Sequence, residues 1–256
     1  MNLELALLGA DIDPDYSPTL ALAEWRAFRI ANGWAPRARF LSWPGVNLKL
    51  RKDKVRATLG LSLAPAFSSG IANVCSHSTP VCRAACLAFN GNGRYAETRD
   101  ARSLRVGFVL ANPSAALALV SEELRLAARK YGRIACRLNV FSDIPWEVVA
   151  PWLFARHRYV RFYDYTKNWR RRVLPKNYHL TYSVSERTPV NAAVARVLTG
   201  RNIAVVFDHR RPLPATWCGL AVVDGDANDA RYRDRRPVVV GLKAKGRMRR
   251  TAMVRG

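Results

Sequence analysis

The sequence has few acidic residues, and we expect from its pattern neither an export signal nor a membrane span. Its 256 residues contain 19 Asp and Glu against 42 Lys and Arg, a formal net charge of +23. A charge of this sign attracts polyanions, so nucleic acid is the first partner to expect. The opening residues carry Glu4 and no basic stretch, unlike a secretory signal. The longest uncharged run, 57–82, is broken by Gly, Pro, Ser and Asn, so we expect no membrane span and a cytoplasmic location.

Several catalytic and nucleotide-binding motifs are also missing. There is no Walker loop and no G-x-G-x-x-G, and Ser183–Glu186 lacks the G-x-S-x-G elbow of a hydrolase. The acidic stretch 224–234 lacks the ligand order of an EF-hand, so we expect a turn that pairs with neighbouring arginines. There is no internal repeat or low-complexity segment.

Length and apolar content favour one large folded domain. With 49% hydrophobic and 24% charged residues, the chain can build a core, which excludes global disorder. We divide it into an N-terminal helical extension (1–54), a core (55–246) and a basic tail (247–256).

Helical periodicity and short apolar runs together predict an α/β protein. Ser17-Pro18 can start a helix that ends at Gly33, and a second helical region, 94–131, is interrupted at Asn112-Pro113. Most apolar runs lack strict alternation, which is typical of strands buried on both faces of a parallel sheet. We therefore predict a mainly parallel sheet in a barrel-like or partial (β/α) barrel. The predicted strands are 55–63, 133–141, 159–165, 178–184, 202–207, 219–223 and 237–242, and the connecting helices include 145–156 and 188–199.

Polar residues follow most of these strands. The carboxyl ends of parallel strands meet at one edge, where the following loops converge and sites form. Any one such residue could simply serve a turn, but five polar strand ends together indicate a site. The candidate catalytic residues are Asn139, Asp164, Lys167, Ser185 and Glu186, and the candidate cofactor-binding residues are Asn139, Ser183 and Asp224.

Three of the five cysteines form the most specific signal. Cys75, Cys82 and Cys86 occur in the pattern C-x6-C-x3-C, in a loop rich in Ser, Thr and Pro. Cys82 and Cys86 are four residues apart, so on a helical turn they would share one face, and the loop could bring Cys75 beside them. Without an export signal, these thiols are better explained as metal ligands than as disulfides.

The spacing favours an iron–sulfur cluster over zinc, because no second pair of ligands typical of a zinc site follows. Three cysteines on a four-iron cluster leave one iron open to a substrate, a small cofactor or a fourth ligand such as His77 or Cys218. Two alternatives stay open: a zinc site, or three buried thiols that act as small hydrophobic residues. Cys136, inside a predicted strand, fits the second of these.

Two basic stretches, 156–176 and 231–256, could neutralise phosphates. Aromatic residues near the first stretch could stack on unpaired bases, although a solvated basic face with aromatics in the core is the alternative. The candidate nucleic-acid-binding residues are Arg170, Arg171, Arg172, Lys243, Lys245 and Arg247, and the candidate stacking residues are Trp146, Trp152, Trp169, Tyr163 and Tyr165.

Six sequence blocks resemble the phage protein family called gene product eighty-eight. They are CRAAC (82–86), RLNVFSDIPWE (137–147), YDYTKN (163–168), NYHLTYSVSE (177–186), DGDANDARYRD (224–234) and VVVGLKAKG (238–246). The resemblance implies a phage-encoded protein in the cytoplasm of an infected bacterium, and no particular activity. The cysteine loop is also similar to that of radical S-adenosylmethionine enzymes, whose usual spacing is C-x3-C-x2-C. That similarity implies a 4Fe-4S cluster at the end of the first strand of a partial barrel, with S-adenosylmethionine on the open iron.

Two functional hypotheses follow. In the first, the open iron and the polar strand ends perform redox or radical chemistry on nucleic acid. In the second, the protein is not an enzyme, and an iron–sulfur or zinc site stabilises a loop while the basic surface binds nucleic acid. The sequence does not specify an oligomeric state.

Overall fold

The structure is a computed structural model that describes residues 1–45, 55–235 and 237–255. Residues 46–54 of the predicted extension, Arg236 in the second basic stretch and Gly256 of the tail lie outside the described residues. The helices are α1 (Leu3–Leu8), α2 (Pro18–Ala31), α3 (Pro80–Ala84), α4 (Ala96–Ala111), α5 (Pro113–Tyr131), α6 (Trp146–Val149), α7 (Pro151–Arg156) and α8 (Val190–Leu198). The strands are β1 (Ala57–Gly60), β2 (Ile134–Arg137), β3 (Arg161–Thr166), β4 (Tyr178–Ser183), β5 (Ile203–Phe207), β6 (Thr216–Trp217), β7 (Leu220–Asp224), β8 (Val239–Lys243) and β9 (Val254–Arg255).

These strands form one sheet in the order β1-β2-β3-β4-β5-β8-β7-β6, and only the β6–β7 pair is antiparallel. The predicted α/β class and mainly parallel sheet are therefore confirmed. Barrel character is not confirmed, because the sheet is open: among the described strands, β1 and β6 lie at opposite ends and do not pair. Strand β5 pairs with the end of β4 through Ile203 and Ala204 and with β9 through Val206 and Phe207. The sheet therefore branches at β5, and β9 lies outside the main strand order.

Local signals explain where several helices begin and end. The Ser17 side chain accepts a hydrogen bond from the Leu20 N–H, so it caps α2 as predicted. The break between α4 and α5 falls at Asn112, as predicted, and α5 ends at Gly132, whose φ of 68° suits glycine. The predicted helix 145–156 is instead two short helices, because Pro151 disfavours helical geometry at Ala150.

The N-terminal helices are part of the main hydrophobic core. Trp25 of α2 is fully buried, and its ring centroid lies 5.0 Å from those of Phe40 and Phe108. The buried Glu123 carboxylate of α5 accepts hydrogen bonds from the Phe40 and Leu41 N–H groups and the Trp43 indole. Burial raises the pKa of Glu123, although these donors oppose the shift. The segment before β1 is thus tied to α5.

The acidic stretch 224–234, which the sequence predicts to be a turn, lies against the sheet. Its 3-10 turn Arg231–Arg233 packs against β3 and β4. Asp234 lies 3.2 Å from Arg231, as a turn paired with a neighbouring arginine predicts. Asp229 instead pairs at 3.0 Å with Arg137, a buried residue of β2.

By length and apolar composition, no single helix in the described ranges qualifies as a membrane span; α4 and α5 qualify only as a pair, bent by 116°.

Candidate cysteine site at the carboxyl edge of the sheet

The three predicted metal ligands lie in the connection from β1 to α4, which crosses the carboxyl edge of the sheet. Near β2, the Cys75 thiol donates to the Phe141 carbonyl at 3.4 Å, and the Asp143 N–H donates to the Val74 carbonyl at 2.9 Å. Beyond β4, the Thr79 hydroxyl donates to Glu186 at 3.0 Å. The loops after two strands therefore hold the cysteine-bearing segment in place.

A small apolar patch packs the part of this segment around Cys82 against residues that follow β8. Its members come from the cysteine segment and from the C-terminal part of the chain, so they bring Cys82 beside residues far away in sequence. We call it the C-terminal apolar patch; it contains Val81, Cys82, Ala85, Ala244, Met248 and Met253.

The local backbone differs from the predicted shared helical face. Thr79 caps α3 by accepting from the Cys82 N–H at 3.1 Å, with Pro80 as the first helical residue. The helix ends at Ala84, and Cys86 lies outside it with φ −58° and ψ 129°. The prediction that Cys82 and Cys86 share a helical face is wrong, because the helix is too short to include both. The folding of the whole segment determines how near they are.

The three thiols nevertheless lie within electrostatic reach of one another. Burial, with smaller contributions from Asp143, Cys86 and Cys82, raises the pKa of Cys75 to about 12. Burial also raises the pKa of Cys86, and Cys82 acts in the same direction. Two sulfurs accept backbone hydrogen bonds: Cys75 from Ala66 at 3.4 Å, and Cys86 from Ala88. We call these three thiols and their immediate surroundings the cysteine site.

Within the described ranges, no group of three His, Cys, Asp or Glu side chains is arranged to hold a single metal ion. A mononuclear zinc site needs sulfurs about 2.3 Å from one metal, and hence within roughly 4.6 Å of each other. A four-iron cluster is larger than one ion, so its thiolates lie farther apart. The three thiols of the cysteine site therefore do not form a mononuclear metal site.

Two cations border Cys86. Lys167 and Arg102 both lower the pKa of this thiol, against the larger effect of burial. Arg102 lies over the Phe141 ring at 4.3 Å and donates to the Ala88 carbonyl at 2.7 Å. Gly93 is required here, because a Cβ at this position would lie 1.7 Å from the Ala88 carbonyl oxygen. The cysteine site thus combines thiols with positive charge.

Asn139 and Asp164, two predicted catalytic residues, are buried and support the loop after β2. The Asn139 side chain accepts from the Ile144 N–H, the Ser142 hydroxyl and the Trp146 indole. Asp164 accepts from the Asn139 N–H at 2.9 Å, and burial raises its pKa to about 7. These contacts position the loop that carries Phe141 and Asp143. They also occupy the side-chain amide of Asn139, so few of its hydrogen-bonding groups are left for a ligand.

The other predicted site residues have different surroundings. Glu186 contacts the cysteine segment through Thr79, whereas Ser185 hydrogen-bonds Thr188 and the Arg187 N–H within its own turn. Ser183 ends β4, and Asp224 ends β7, where it accepts from the N–H groups of the next turn. Lys167 and Glu186 are thus the predicted residues that the structure brings to the cysteine site.

Arg171, predicted to bind nucleic acid, lies in the interior. It forms two hydrogen bonds with Glu147, at 2.7 and 2.6 Å, and lies 3.2 Å from Asp143. Burial opposes its charge, but Tyr178, Glu147 and Asp143 together hold the pKa of Arg171 well above its usual value. A phosphate backbone cannot reach this side chain, because its charge is enclosed and compensated.

The remaining predicted nucleic-acid contacts are exposed. Arg170 and Arg172 flank Arg171, Lys243 is the last residue of β8, and Lys245 and Arg247 follow it. Lys245 pairs with Asp226 at 2.5 Å. Among the predicted stacking residues, Trp146 and Tyr163 are buried and unavailable to bases, while Trp152, Tyr165 and Trp169 are partly buried.

The two proposed fourth ligands are exposed residues in turns. His77 is exposed, two residues after Cys75. Cys218 is exposed in the β6–β7 turn, where its φ of 50° and that of Gly219, 77°, suit a tight hairpin. Cys136 is fully buried in β2, as expected for a core cysteine.

Sequence reasoning did not select Arg102, Thr79 or Asp143 as site residues. Asp143 lies two residues after the predicted strand 133–141, so its position at a polar strand end was a signal for it. Arg102 lies within a helix with no motif around it, and only the packing of α4 brings it to Cys86.

Comparison with known proteins identifies the family. A family model described as Gene product 88 matches residues 41–256. The chain belongs to the Gene product 88 family. This match covers all six blocks on which the resemblance rests, and so confirms the phage family. No curated protein and no solved structure matches the chain.

Proposed function

We propose that this Gene product 88 protein binds an iron–sulfur cluster through Cys75, Cys82 and Cys86 and acts on, or binds to, nucleic acid. The observation that carries the proposal is that the segment bearing the three cysteines crosses the carboxyl edge of a parallel sheet, where Cys75 interacts electrostatically with Cys82 and Cys86. The hydrogen bonds from Ala66 and Ala88 to two of the sulfurs support it, since such bonds stabilise cluster thiolates.

The high pKa of Cys75 argues against an alternative role as a free nucleophile. A thiol with a pKa of about 12 is protonated at neutral pH, and a thiol is weakly reactive. Coordination to a metal removes this obstacle, because the metal charge deprotonates a thiol ligand outright. A metal therefore explains three adjacent thiols better than nucleophilic catalysis does.

A three-cysteine cluster supplies an open iron that can bind a small ligand or transfer electrons. Lys167 and Arg102, beside Cys86, would attract an anionic group such as the carboxylate of S-adenosylmethionine. Glu186 and Thr79 would hold the cysteine segment. Exposed Lys243 and Arg247, next to the C-terminal apolar patch, would hold nucleic acid near the site.

Anaerobic purification tests whether the protein binds an iron–sulfur cluster. We expect a brown protein with iron and sulfide, and we expect Cys82→Ser to lose most of the iron. Cys218→Ser removes an exposed thiol outside the site and is the matched control, which should keep full iron content. Metal-free protein, or full iron in Cys82→Ser, would contradict the proposal.

The second candidate function is that of a nucleic-acid-binding protein with a structural zinc ion. The basic surface favours it as much as it favours an enzyme, but the described side chains do not form a mononuclear site. Zinc in place of iron in the purified protein would select it. Reductive cleavage of S-adenosylmethionine by the reduced protein would select the enzyme.

A further inference from the structure

A basic cleft lies at the edge of the sheet opposite to the cysteine site. Its volume is about 530 Å³, which is within the usual range of small-molecule sites. It lies between α7 and the amino ends of β3 and β4. The lining residues are Pro151, Phe154, Ala155, Arg158, Arg161, Pro175, Lys176 and Asn177.

The cleft contains three cations and no carboxylate. Arg158, Arg161 and Lys176 are exposed, and within the described part of the chain none forms an ion pair with Asp or Glu. Nearby Arg156, in contrast, pairs with Asp15 at 2.7 Å. Three converging positive charges without a counter-charge favour an anionic ligand, and an arginine can bind a phosphate through two hydrogen bonds.

The rest of the lining is apolar and firmly held. Pro151 and Pro175 offer a surface that a planar base could cover, while Phe154 is buried and its ring stacks on Tyr178 at 4.8 Å. The Asn177 amide donates to the carbonyls of Phe154 and His157, at 3.2 and 3.0 Å, and so ties the start of β4 to α7. A cleft with a fixed apolar floor and a cationic rim matches a phosphate carried on an aromatic body.

We infer that this cleft binds the phosphate of a nucleotide, either free or at the 5′ end of a nucleic-acid strand. The six residues of β3, at about 3.3 Å each, separate it from the carboxyl edge by roughly 20 Å. It is therefore a second site, which does not depend on the identity of any metal at the cysteines.

Binding of AMP and of adenosine, measured by calorimetry, tests the inference. We expect AMP to bind and adenosine to bind at least tenfold more weakly. The double variant Arg161→Gln/Lys176→Gln should weaken AMP binding by about tenfold or more, because two charged hydrogen bonds are lost. The matched control Arg26→Gln/Arg129→Gln removes the same charge from exposed positions on α2 and α5 and should change AMP binding by less than twofold.

A second arm distinguishes the two sources of the phosphate. Short single strands with a 5′-phosphate and with a 5′-hydroxyl are compared; a preference for the phosphate that the double variant abolishes assigns a strand end. AMP binding without that preference assigns a free nucleotide. Equal losses in the double variant and in its control, or no preference for phosphate with either probe, would overturn the inference. Cys82→Ser should leave AMP binding unchanged, which separates this test from that of the cluster.

Discussion

Arg170 and Arg171 are neighbours in the chain but have opposite environments. The side chain of Arg170 is exposed, whereas Arg171 is enclosed by Glu147, Asp143 and Tyr178. The buried ion pairs also support the loop 167–177, which joins two parallel strands without a helix. A crossover of this kind usually contains a helix, so here a buried arginine replaces the packing that a helix would supply.

Arg171→Leu should therefore destabilise the protein strongly. The change leaves the carboxylates of Glu147 and Asp143 without their partner, and breaking a buried pair in this way costs about 3–5 kcal/mol. Arg170→Leu is the matched control, with an expected effect within about 0.5 kcal/mol. Urea unfolding measures both. Equal stability of the two variants would show that the buried pairs do not support the loop.

At the scale of an element, the 3-10 turn Gly246–Arg250 links the basic tail to the cysteine site. Met248 of this turn is buried in the C-terminal apolar patch, and Arg247, Arg249 and Arg250 point away from the core. The same short element thus packs against the cysteine segment and presents positive charge beside it.

The variant Arg247→Gln/Arg249→Gln/Arg250→Gln should weaken binding to single-stranded nucleic acid and reduce its salt dependence. Each lost phosphate contact lowers the slope of log affinity against log salt by about 0.7, so three contacts account for about 2. Fluorescence anisotropy at several salt concentrations measures the slope. Arg26→Gln/Arg129→Gln/Arg133→Gln, on exposed positions elsewhere, is the control. An identical slope in both triple variants would contradict a nucleic-acid contact at the tail.

At the scale of the whole molecule, two buried titratable groups make the free energy of unfolding depend on pH in opposite directions. Burial lowers the pKa of His157 to about 4, while its ring nitrogens lie 2.8 Å from the hydroxyls of Ser121 and Tyr159. Burial raises the pKa of Asp164 to about 7. Between pH 4 and 6.5 the unfolded chain binds a proton at His157 that the native state excludes, whereas at Asp164 the native state holds the extra proton.

His157→Gln separates the two contributions. The stabilisation from neutral His157 is complete above pH 6.5 and is lost as pH falls toward about 4. The wild type should therefore lose up to about 3 kcal/mol relative to the variant over that interval. Urea unfolding at pH 7.5, 5.5 and 4.5 measures the difference, and the exposed His77→Gln provides the control. A difference between wild type and His157→Gln that does not change with pH would contradict the buried, neutral state.

The sequence by itself determined the features that depend on contacts between near neighbours. The cap at Ser17, the break at Asn112-Pro113, the stop at Gly132 and most strands follow from local rules of capping, proline geometry and apolar pattern. The α/β class follows too, because continuous apolar runs need a sheet covered on both faces.

Only the tertiary structure decided how distant segments meet. Strand pairing at the two ends of the sheet decides whether a barrel closes, and no local pattern encodes it. The burial of Arg171, the approach of Arg102 to Cys86 and the pairing of Arg137 with Asp229 likewise join residues separated by many positions in the chain. A charged side chain has the same local propensity on a surface and in a core, so only the partners that packing supplies determine its role.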